Sequence, residues 1–327
     1  MDRAPGRDTE RQPGNPADSG TEIWGGTLTA ANSGFVYRIV NGVPRMLVDP
    51  DLSDPTSVNA AFAEPDTKLS NEYRQTIRHF RTQWDAFSEE EKTFGMTVDE
   101  SWLYFCGTLR PRELQEDWFD GRLFLDAGCG HGKYVDALSA RGAEVVAFDI
   151  TPEIERVYRR IGHRSNVHLV QANILYPPFE QAAFDFVMSN GVIHHTPDTR
   201  EAFRAISRLP KAGGFLAIWV YPYRSRGFDA VSQALRAITS RLPSDLLRAL
   251  CYLPVPLLSI PGWGAYSGTN LKTASWRQCA QVIYDFFGPK YQTHHTQAEV
   301  SAWYQEEGYE TPWFGPNPLS ASAKKAG

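Results

Sequence analysis

Between Leu123 and Tyr221 the chain alternates short apolar runs with segments of helical spacing. The runs Leu123–Ala127, Glu144–Asp149, 167–172, 184–189 and 215–221 are apolar at most positions, the pattern of strands buried on both faces of a parallel sheet. Between them, 133–140, 152–161 and 199–209 carry helical periodicity. Their ends are marked: Gly142 closes the first, Thr151-Pro152 opens the second, and Asp198 with Glu201 has capping-box spacing at the start of the third. Repeated βα units of this kind predict an α/β protein with a doubly wound sheet and right-handed crossovers.

The flanks follow other rules. From Gly26 to Val48, apolar residues alternate with turn signals at Asn32-Ser33-Gly34 and Asn41-Gly42 that tolerate positive φ, which predicts a small β-meander. From about Thr67 to Trp118 the spacing turns helical and aromatic (Tyr73, Ile77, Phe80, Trp84, Phe87), and predicts helices covering the functional edge of the sheet. After the fifth strand, Tyr223 to about Gln292 breaks the rhythm. Val231, Leu235, Ile238, Leu246, Leu247 and Leu250 have helical spacing; a proline-interrupted run from Leu253 to Pro261 and Gly262-Trp263-Gly264-Ala265-Tyr266 follow. This section reads equally well as a substrate lid and as an insertion packed on itself or on a second subunit. A helix over 297–307 and strands near 309–314 and 319–324 close the chain. The expected division is a disordered tail over 1–20, a meander over 21–50, a helical cap over 51–118, a cofactor-binding core over 119–222, a helical lid or insertion over 223–292, and a C-terminal helix and strands over 293–327 that complete the core.

Composition narrows the class. With 327 residues, 42% of them hydrophobic, the chain can bury the core of one large domain with elaborations. A formal charge of −5 gives no general attraction for nucleic acid, and no nucleic-acid partner is expected. Cys106, Cys129, Cys251 and Cys279 show no CxxC pairing, so neither a metal site nor a disulfide framework is expected and a reducing cytoplasm fits best. The Pro-, Gly-, Asp- and Arg-rich stretch over 1–20 lacks the apolar centre of a signal peptide, and no segment is apolar and long enough to span a membrane.

The chemistry begins where the first apolar strand runs into Gly128-Cys129-Gly130-His131-Gly132. Glycine there lets the backbone turn sharply and lets a ligand approach where a Cβ would collide. A nicotinamide or flavin site normally reads G-x-G-x-x-G; the spacing here is G-x-G-x-G, preceded by Asp126, and favours S-adenosylmethionine. Asp149 ends the second strand, placed to accept from both hydroxyls of a ribose. Ser189-Asn190-Gly191-Val192-Ile193-His194-His195 follows the fourth strand, at the carboxyl edge where ligands bind in such sheets.

From Leu123 to Tyr221 the chain resembles the class I S-adenosylmethionine-dependent methyltransferases. The resemblance implies a Rossmann-like, mostly parallel seven-stranded sheet. It also implies that Asp126, Gly128, Cys129 and Gly130 meet the methionine part of the cofactor, that Asp149 with Ile150 holds the ribose, and that Asn173 with Ile174 faces the adenine. Asn190 joins the cofactor residues. The adenine position is commonly aspartate in relatives; the amide oxygen of Asn173 is expected to accept from the adenine amino group instead. Leu209-Pro210-Lys211-Ala212-Gly213-Gly214 departs from the usual proline placement at a turn. The segments Asn41-Gly42-Val43-Pro44-Arg45, Phe80-Arg81-Thr82-Gln83-Trp84 and 284–292 with His294-His295-Thr296 and Trp303 resemble a subgroup whose N-terminal zinc-ribbon-like module here lacks its cysteines, so a metal-free remnant is expected.

Methyl transfer is an in-line displacement at a carbon already activated by a sulfonium, so alignment of the nucleophile is the main task. If a base assists, His195 and His295 lead the candidates, followed by His194 and Tyr221, with His294 and Tyr223 nearby. A structural role, fixing the loop by hydrogen bonds, stands beside a catalytic one for His194 and His195. Arg224, Arg226, Arg236, Arg241 and Arg248 against Asp229 and Asp245 point to an anionic acceptor or to a solvated helix face. The apolar residues beside them suit a hydrophobic tail. The expected function is methylation of a small-molecule oxygen, nitrogen or carbon nucleophile, as in natural-product biosynthesis, by a chain compatible with a homodimer. The competing readings are a nicotinamide-dependent oxidoreductase and a catalytically silent cofactor-binding scaffold.

Overall fold

The computed structural model describes residues 23–29, 36–48, 71–85, 97–256 and 275–327. The expectations for the tail over 1–20, the turn at Asn32-Ser33-Gly34, Phe87, the run from Leu257 to Pro261 and the segment Gly262 to Tyr266, and for the side chains of Tyr73 and Trp84, lie outside the described residues.

Among the described residues ten strands form one sheet: β1 (Gly26–Thr29), β2 (Val36–Val40), β3 (Val43–Arg45), β4 (Leu123–Ala127), β5 (Glu144–Asp149), β6 (Val167–Gln171), β7 (Phe184–Asn190), β8 (Pro210–Trp219), β9 (Trp313–Phe314) and β10 (Ser320–Lys324). Their order is β1-β2-β3-β6-β5-β4-β7-β8-β10-β9. The pairings from β3 to β8 are parallel, and those at the two margins are antiparallel. The α/β architecture with a large, mostly parallel sheet is therefore the one expected. The sheet is wider than the seven strands foreseen, because the meander adds its three to the β6 edge instead of standing apart. Arg45 explains that docking: its buried guanidinium donates to Gln171 Oε1 on β6 at 2.9 Å and pairs with Glu155. β8 also starts earlier than expected. The turn foreseen at Leu209 to Gly214 is absorbed as an irregular start of the strand, with Pro210 opposite Phe184 and a register shift before Phe186.

Two cores follow from the alternation of side chains along each strand. On one face Phe124, Val145 and Phe186 pack under α2 (Val98–Thr108), α3 (Lys133–Ser139) and α4 (Ile154–Ile161), with Phe124 and Phe186 stacked at 4.9 Å. On the other, Leu125, Phe148, Val187 and Leu216 pack under α5 (Thr199–Ser207) and α9 (Gln297–Glu306). Asp198 caps α5 by accepting from the Glu201 amide at 3.0 Å, and Thr296 with Glu299 forms a reciprocal capping box on α9.

The insertion supplies α6 (Arg226–Thr239), α7 (Ser244–Leu250) and α8 (Trp276–Phe287). α7, the turn after it and α8 share a small core of Leu247, Cys251, Val255, Cys279, Ala280 and Tyr284. α1 (Asn71–Asp85) joins them, with the His79 ring stacked on Tyr284 at 4.4 Å. The insertion thus packs on itself and on the N-terminal helix, above the carboxyl ends of β7 and β8.

Candidate functional site

The chain lays β4, β5 and β6 outward in one direction, then returns to place β7 and β8 on the other side of β4. At such a reversal the loops leaving the two central strands part and open a crevice. Here those loops are Gly128 to Gly132 after β4 and Gly191 to His195 after β7.

The first loop holds its shape through three glycines with φ of 89°, 52° and 75° at Gly128, Gly130 and Gly132, all in the left-handed region. The Gly128 and Cys129 amides both donate to the Phe148 carbonyl, at 2.9 and 3.0 Å, which seats the loop on β5. A Cβ built on Gly128 would come within 2.6 Å of the Val192 methyls, so the two loops touch directly. His131 is tied down by Arg160, whose guanidinium donates to the His131 carbonyl at 2.9 Å; burial and that arginine push the imidazole down to about 4.

Asp149 ends β5 in the expected place, with its carboxylate engaged by the protein. Oδ2 accepts from the Gly130 amide at 2.9 Å, and Oδ1 accepts from the Thr151 amide and hydroxyl at 2.9 and 2.8 Å. Burial raises its pKa against the pull of these donors. The carboxylate thus braces the glycine loop, besides any lone pair it offers a ribose. Ile150 next to it accepts from Gln171 Nε2 at 2.9 Å, tying the end of β5 to β6.

Asn173 is partly engaged by its own turn. Its Oδ1 accepts from the Leu175 amide at 3.1 Å, and Nδ2 is buried with no partner among the described residues. The residue expected to face an adenine thus has a buried donor to spare besides the second lone pair of its amide oxygen, and the Asx turn fixes which end is which. Ile174 is buried in the second core.

Asp126 is buried at the end of β4, on the α3 side. Burial, reinforced by Asp149 and opposed by Lys133, raises it to about 8, and its Oδ2 has no partner among the described residues. Lys133 is pushed down to about 8 by the same burial, its ammonium 4.7 Å from the centre of the Tyr134 ring. Tyr134, which sequence reading passed over, accepts from Asn190 Nδ2 at 2.9 Å and leaves Asn190 Oδ1 buried and unmatched among the described residues. Burial holds the Cys129 thiol well above its ordinary value, so it is a packing group with no thiolate character.

Beyond Val192 a one-turn 3-10 helix, Ile193–His195, carries both histidines. His194 is fully buried, 4.1 Å from the Tyr221 ring, and both of its ring nitrogens lack a partner among the described residues. Burial and neighbouring cations drive its pKa well down. His195 donates from Nδ1 to the Tyr291 carbonyl at 3.1 Å, which leaves Nε2 as the acceptor. Burial lowers its pKa, and Asp285 partly offsets this. Tyr221 donates to Asp285 Oδ2 at 2.7 Å, and Gln83 of α1 donates to Oδ1 at 2.7 Å. The His294 ring lies parallel to Tyr221 at 6.0 Å, with Nδ1 3.0 Å from Asp229 Oδ1.

His194, His195, Tyr221 and His294 thus pack into one buried cluster of rings between the ends of β7 and β8 and the helices α6 and α8. His295 does not join them: its ring packs edge-on against Trp303 at 4.7 Å and its Nε2 lies 2.9 Å from Thr293 Oγ1. Neighbours in an extended segment point to opposite sides, so the pair His294-His295 had to split. Asp285 and Gln83 stood inside the two segments that resemble the subgroup, but the sequence assigned them no role. The available signal was a lone carboxylate in the apolar helix Trp276–Phe287, and an amide on α1 whose partner lies 202 residues away. Arg236 leaves the set of anion-binding arginines, since its buried guanidinium donates to the Pro289, Lys290 and Gln292 carbonyls at 2.7, 3.1 and 3.2 Å.

The family model described as a methyltransferase domain matches residues 125–218, from β4 through most of β8. A ubiquinone biosynthesis O-methyltransferase from Xylella fastidiosa is 34% identical over 172 residues, covering 50% of this chain and 69% of that protein. The chain belongs to the S-adenosylmethionine-dependent methyltransferases. A ubiquinone biosynthesis O-methyltransferase from Xanthomonas oryzae pv. oryzae is 35% identical over 99 residues, covering 29% of this methyltransferase and 41% of the relative. The chain thus spans about two fifths of that relative's length. Among solved structures, magnesium protoporphyrin IX methyltransferase from Synechocystis with bound SAH has a TM-score of 0.41 at 14% identity, over 84% of this chain and 100% of that one.

The family cofactor, S-adenosylmethionine, fits the residues present. The glycine loop leaves a surface without Cβ atoms, and three buried, unmatched polar atoms, Asp126 Oδ2, Asn190 Oδ1 and Asn173 Nδ2, belong to residues along the same strand ends. Two acceptors and one donor suit a cationic ammonium and sulfonium at one end of a ligand and a heteroaromatic ring at the other.

Proposed function

We propose that this methyltransferase moves the methyl group of S-adenosylmethionine onto a hydroxyl of a small-molecule acceptor held against the cluster of His194, His195, Tyr221 and His294, with His195 taking the proton. The observation that carries the reading is the orientation of His195. Its Nδ1 hydrogen is committed to the Tyr291 carbonyl, so the free Nε2 lone pair is the basic site, and burial keeps the ring neutral at pH 7.

The cofactor, when bound, supplies a methyl group on a sulfonium, an electrophile that needs no acid or metal. What this chain contributes is alignment and a proton acceptor. The contact between Gly128 and Val192 fixes the histidine turn against the cofactor loop. Tyr221, anchored on Asp285, and the parallel ring of Phe286 at 6.0 Å give flat apolar walls that suit an aromatic acceptor. Oxygen is the acceptor atom favoured, in keeping with the O-methyltransferase names of the Xylella and Xanthomonas relatives. An anionic acceptor loses support with Arg236 committed to backbone carbonyls. His194, with no acceptor for its own proton among the described residues, serves as one ring of the cluster and as a donor toward the acceptor molecule.

Calorimetry on the full chain with S-adenosylhomocysteine and with NAD tests the cofactor: heat with the first alone is expected, and heat with NAD alone overturns the reading in favour of an oxidoreductase. A panel of phenols and catechols with methyl-labelled S-adenosylmethionine then tests the acceptor. His195→Gln is expected to keep S-adenosylhomocysteine affinity and to lose about a hundredfold to ten-thousandfold in kcat. In the wild type the acid limb of kcat/KM falls below the ordinary histidine value of about 6.5, since burial disfavours the imidazolium. Unchanged turnover in His195→Gln removes the base assignment and leaves positioning alone.

A further inference from the structure

α6 is inside out. Its buried positions are polar, Ser232 at 3% and Arg236 at 2% exposure, whereas Val231 and Ile238 on its outer face are 62% and 65% exposed, with Leu235 between them. Gly227, Ala230, Ala234 and Ala237 complete an outer face without a long polar side chain. Exposed apolar residues follow at Leu246 and Leu250 of α7 and at Leu253, which is 73% exposed. Scattered surface leucines need no explanation, but an apolar face along α6 followed by three more exposed leucines on and just after α7 marks something that covers it.

The charges around the stripe say what. The whole chain carries −5, yet over residues 226–256 the exposed charges are Arg226, Arg241 and Arg248 against Asp245, with Asp229 turned inward beside His294. Arg226 and Arg241 bracket the apolar stripe of α6 at its two ends. A second copy of this chain is the poorer occupant: across a two-fold axis an antiparallel α6 pair sets Arg226 against Arg241, and a parallel pair sets Arg226 against Arg226. An anionic, apolar-cored partner satisfies both features at once. No helix among the described residues is long and apolar enough to cross a membrane, so such a partner is met side-on.

We propose that the outer face of α6 and α7 is a docking surface for an anionic lipid bilayer, with Val231, Leu235, Ile238, Leu246, Leu250 and Leu253 entering the interface and the arginines meeting lipid headgroups. The opposite face of α6 places Phe228 and Asp229 against His294 of the cluster, so the same helix separates the bilayer from the acceptor site. The surface stands whether or not the acceptor reading holds, because its test needs no turnover.

Flotation of the full chain with vesicles of phosphatidylcholine alone and of phosphatidylcholine mixed with phosphatidylglycerol decides it. Binding to the mixed vesicles, weakened by salt and much lower on phosphatidylcholine, is expected. Leu235→Glu with Ile238→Glu should lower the partition coefficient by about a hundredfold or more, and Arg241→Gln by about fivefold. Leu103→Glu, at an exposed leucine on α2, should change nothing. Circular dichroism of each variant shows that the fold persists. Absence of wild-type flotation overturns the proposal. So does equal flotation of the double glutamate variant, and so does a dimer by light scattering that the double variant dissolves while vesicle binding is absent.

Discussion

Asp126 is a carboxylate that the apo protein has reason to keep protonated. Burial lifts it to about 8, Asp149 pushes the same way, and the nearby Lys133 limits the rise. A group whose folded pKa exceeds its unfolded value gives stability that is complete below the unfolded pKa, about 3.9, and is lost as pH rises to the folded one. Asp126→Asn, a neutral isostere, is free of that loss. Urea denaturation of both proteins should show the variant gaining on the wild type by on the order of 1 kcal/mol per pH unit between about pH 4 and pH 8. A constant difference across that range would mean that Asp126 is already ionised at low pH. A ligand carrying positive charge beside Asp126 would stabilise the ionised form; if Asp126 meets the cofactor, S-adenosylmethionine affinity should therefore rise with pH up to about 8.

At the scale of elements, the close approach of the loops after β4 and β7 couples the glycine loop mechanically to the histidine turn. Gly128→Ala places a methyl 2.6 Å from Val192 and asks a non-glycine residue to hold φ near 89°. The backbone part costs about 1–2 kcal/mol and stays whatever the neighbour. The steric part should fall, leaving only the 3.0 Å approach to the Val192 Cβ, when Val192→Ala is added, so a double-mutant cycle in S-adenosylhomocysteine affinity should return a coupling of about 1 kcal/mol. Additive losses would mean that the loops do not meet. The strand-and-glycine frame of this site was legible because each signal is local: Asp126, Gly128 and Asp149 stand at strand ends whose apolar runs announce themselves. The ring cluster was not. Asp285, Gln83 and Tyr221 form one hydrogen-bonded group only after α1 and α8 fold over β8, and nothing near any of them in the chain reports the others. α6 misled by the same measure, because the rule that apolar positions face inward assigns its buried side to Val231, Leu235 and Ile238, whereas the helix buries Ser232 and Arg236.

Across the whole molecule, the N-terminal strands, the core sheet and the cap are joined by a few buried polar anchors, and Arg45 is the one that sets the width of the sheet. β3 meets β6 through a single registered pair, Arg45 with Gln171, plus the Met46 amide donating to the Gln171 carbonyl at 2.8 Å. So short a ladder cannot hold three strands by backbone bonds alone. The guanidinium adds Gln171 Oε1, the Val40 carbonyl at 3.2 Å and Glu155 of α4, which locks the meander to the core from two directions. Gly42 contributes a close approach: a Cβ there would sit 2.3 Å from the Tyr158 ring of α4. Arg45→Met keeps length and apolar packing while removing every one of those bonds, and leaves Glu155 partly buried without its partner. A loss of about 3 kcal/mol in global stability is expected if the meander unfolds with the core, since breaking a buried pair on one side leaves the other charge uncompensated. If the meander instead detaches as a local unit, the global transition should hold while limited proteolysis cuts before residue 71 at a much higher rate. The glycine loop lies beyond β5, on the far side of β6 from the meander, so S-adenosylhomocysteine affinity should remain within about twofold of wild type in either case. Loss of affinity in step with loss of the meander would show that the edge strands brace the cofactor site through β6 and Gln171, whose Nε2 already reaches the Ile150 carbonyl beside Asp149.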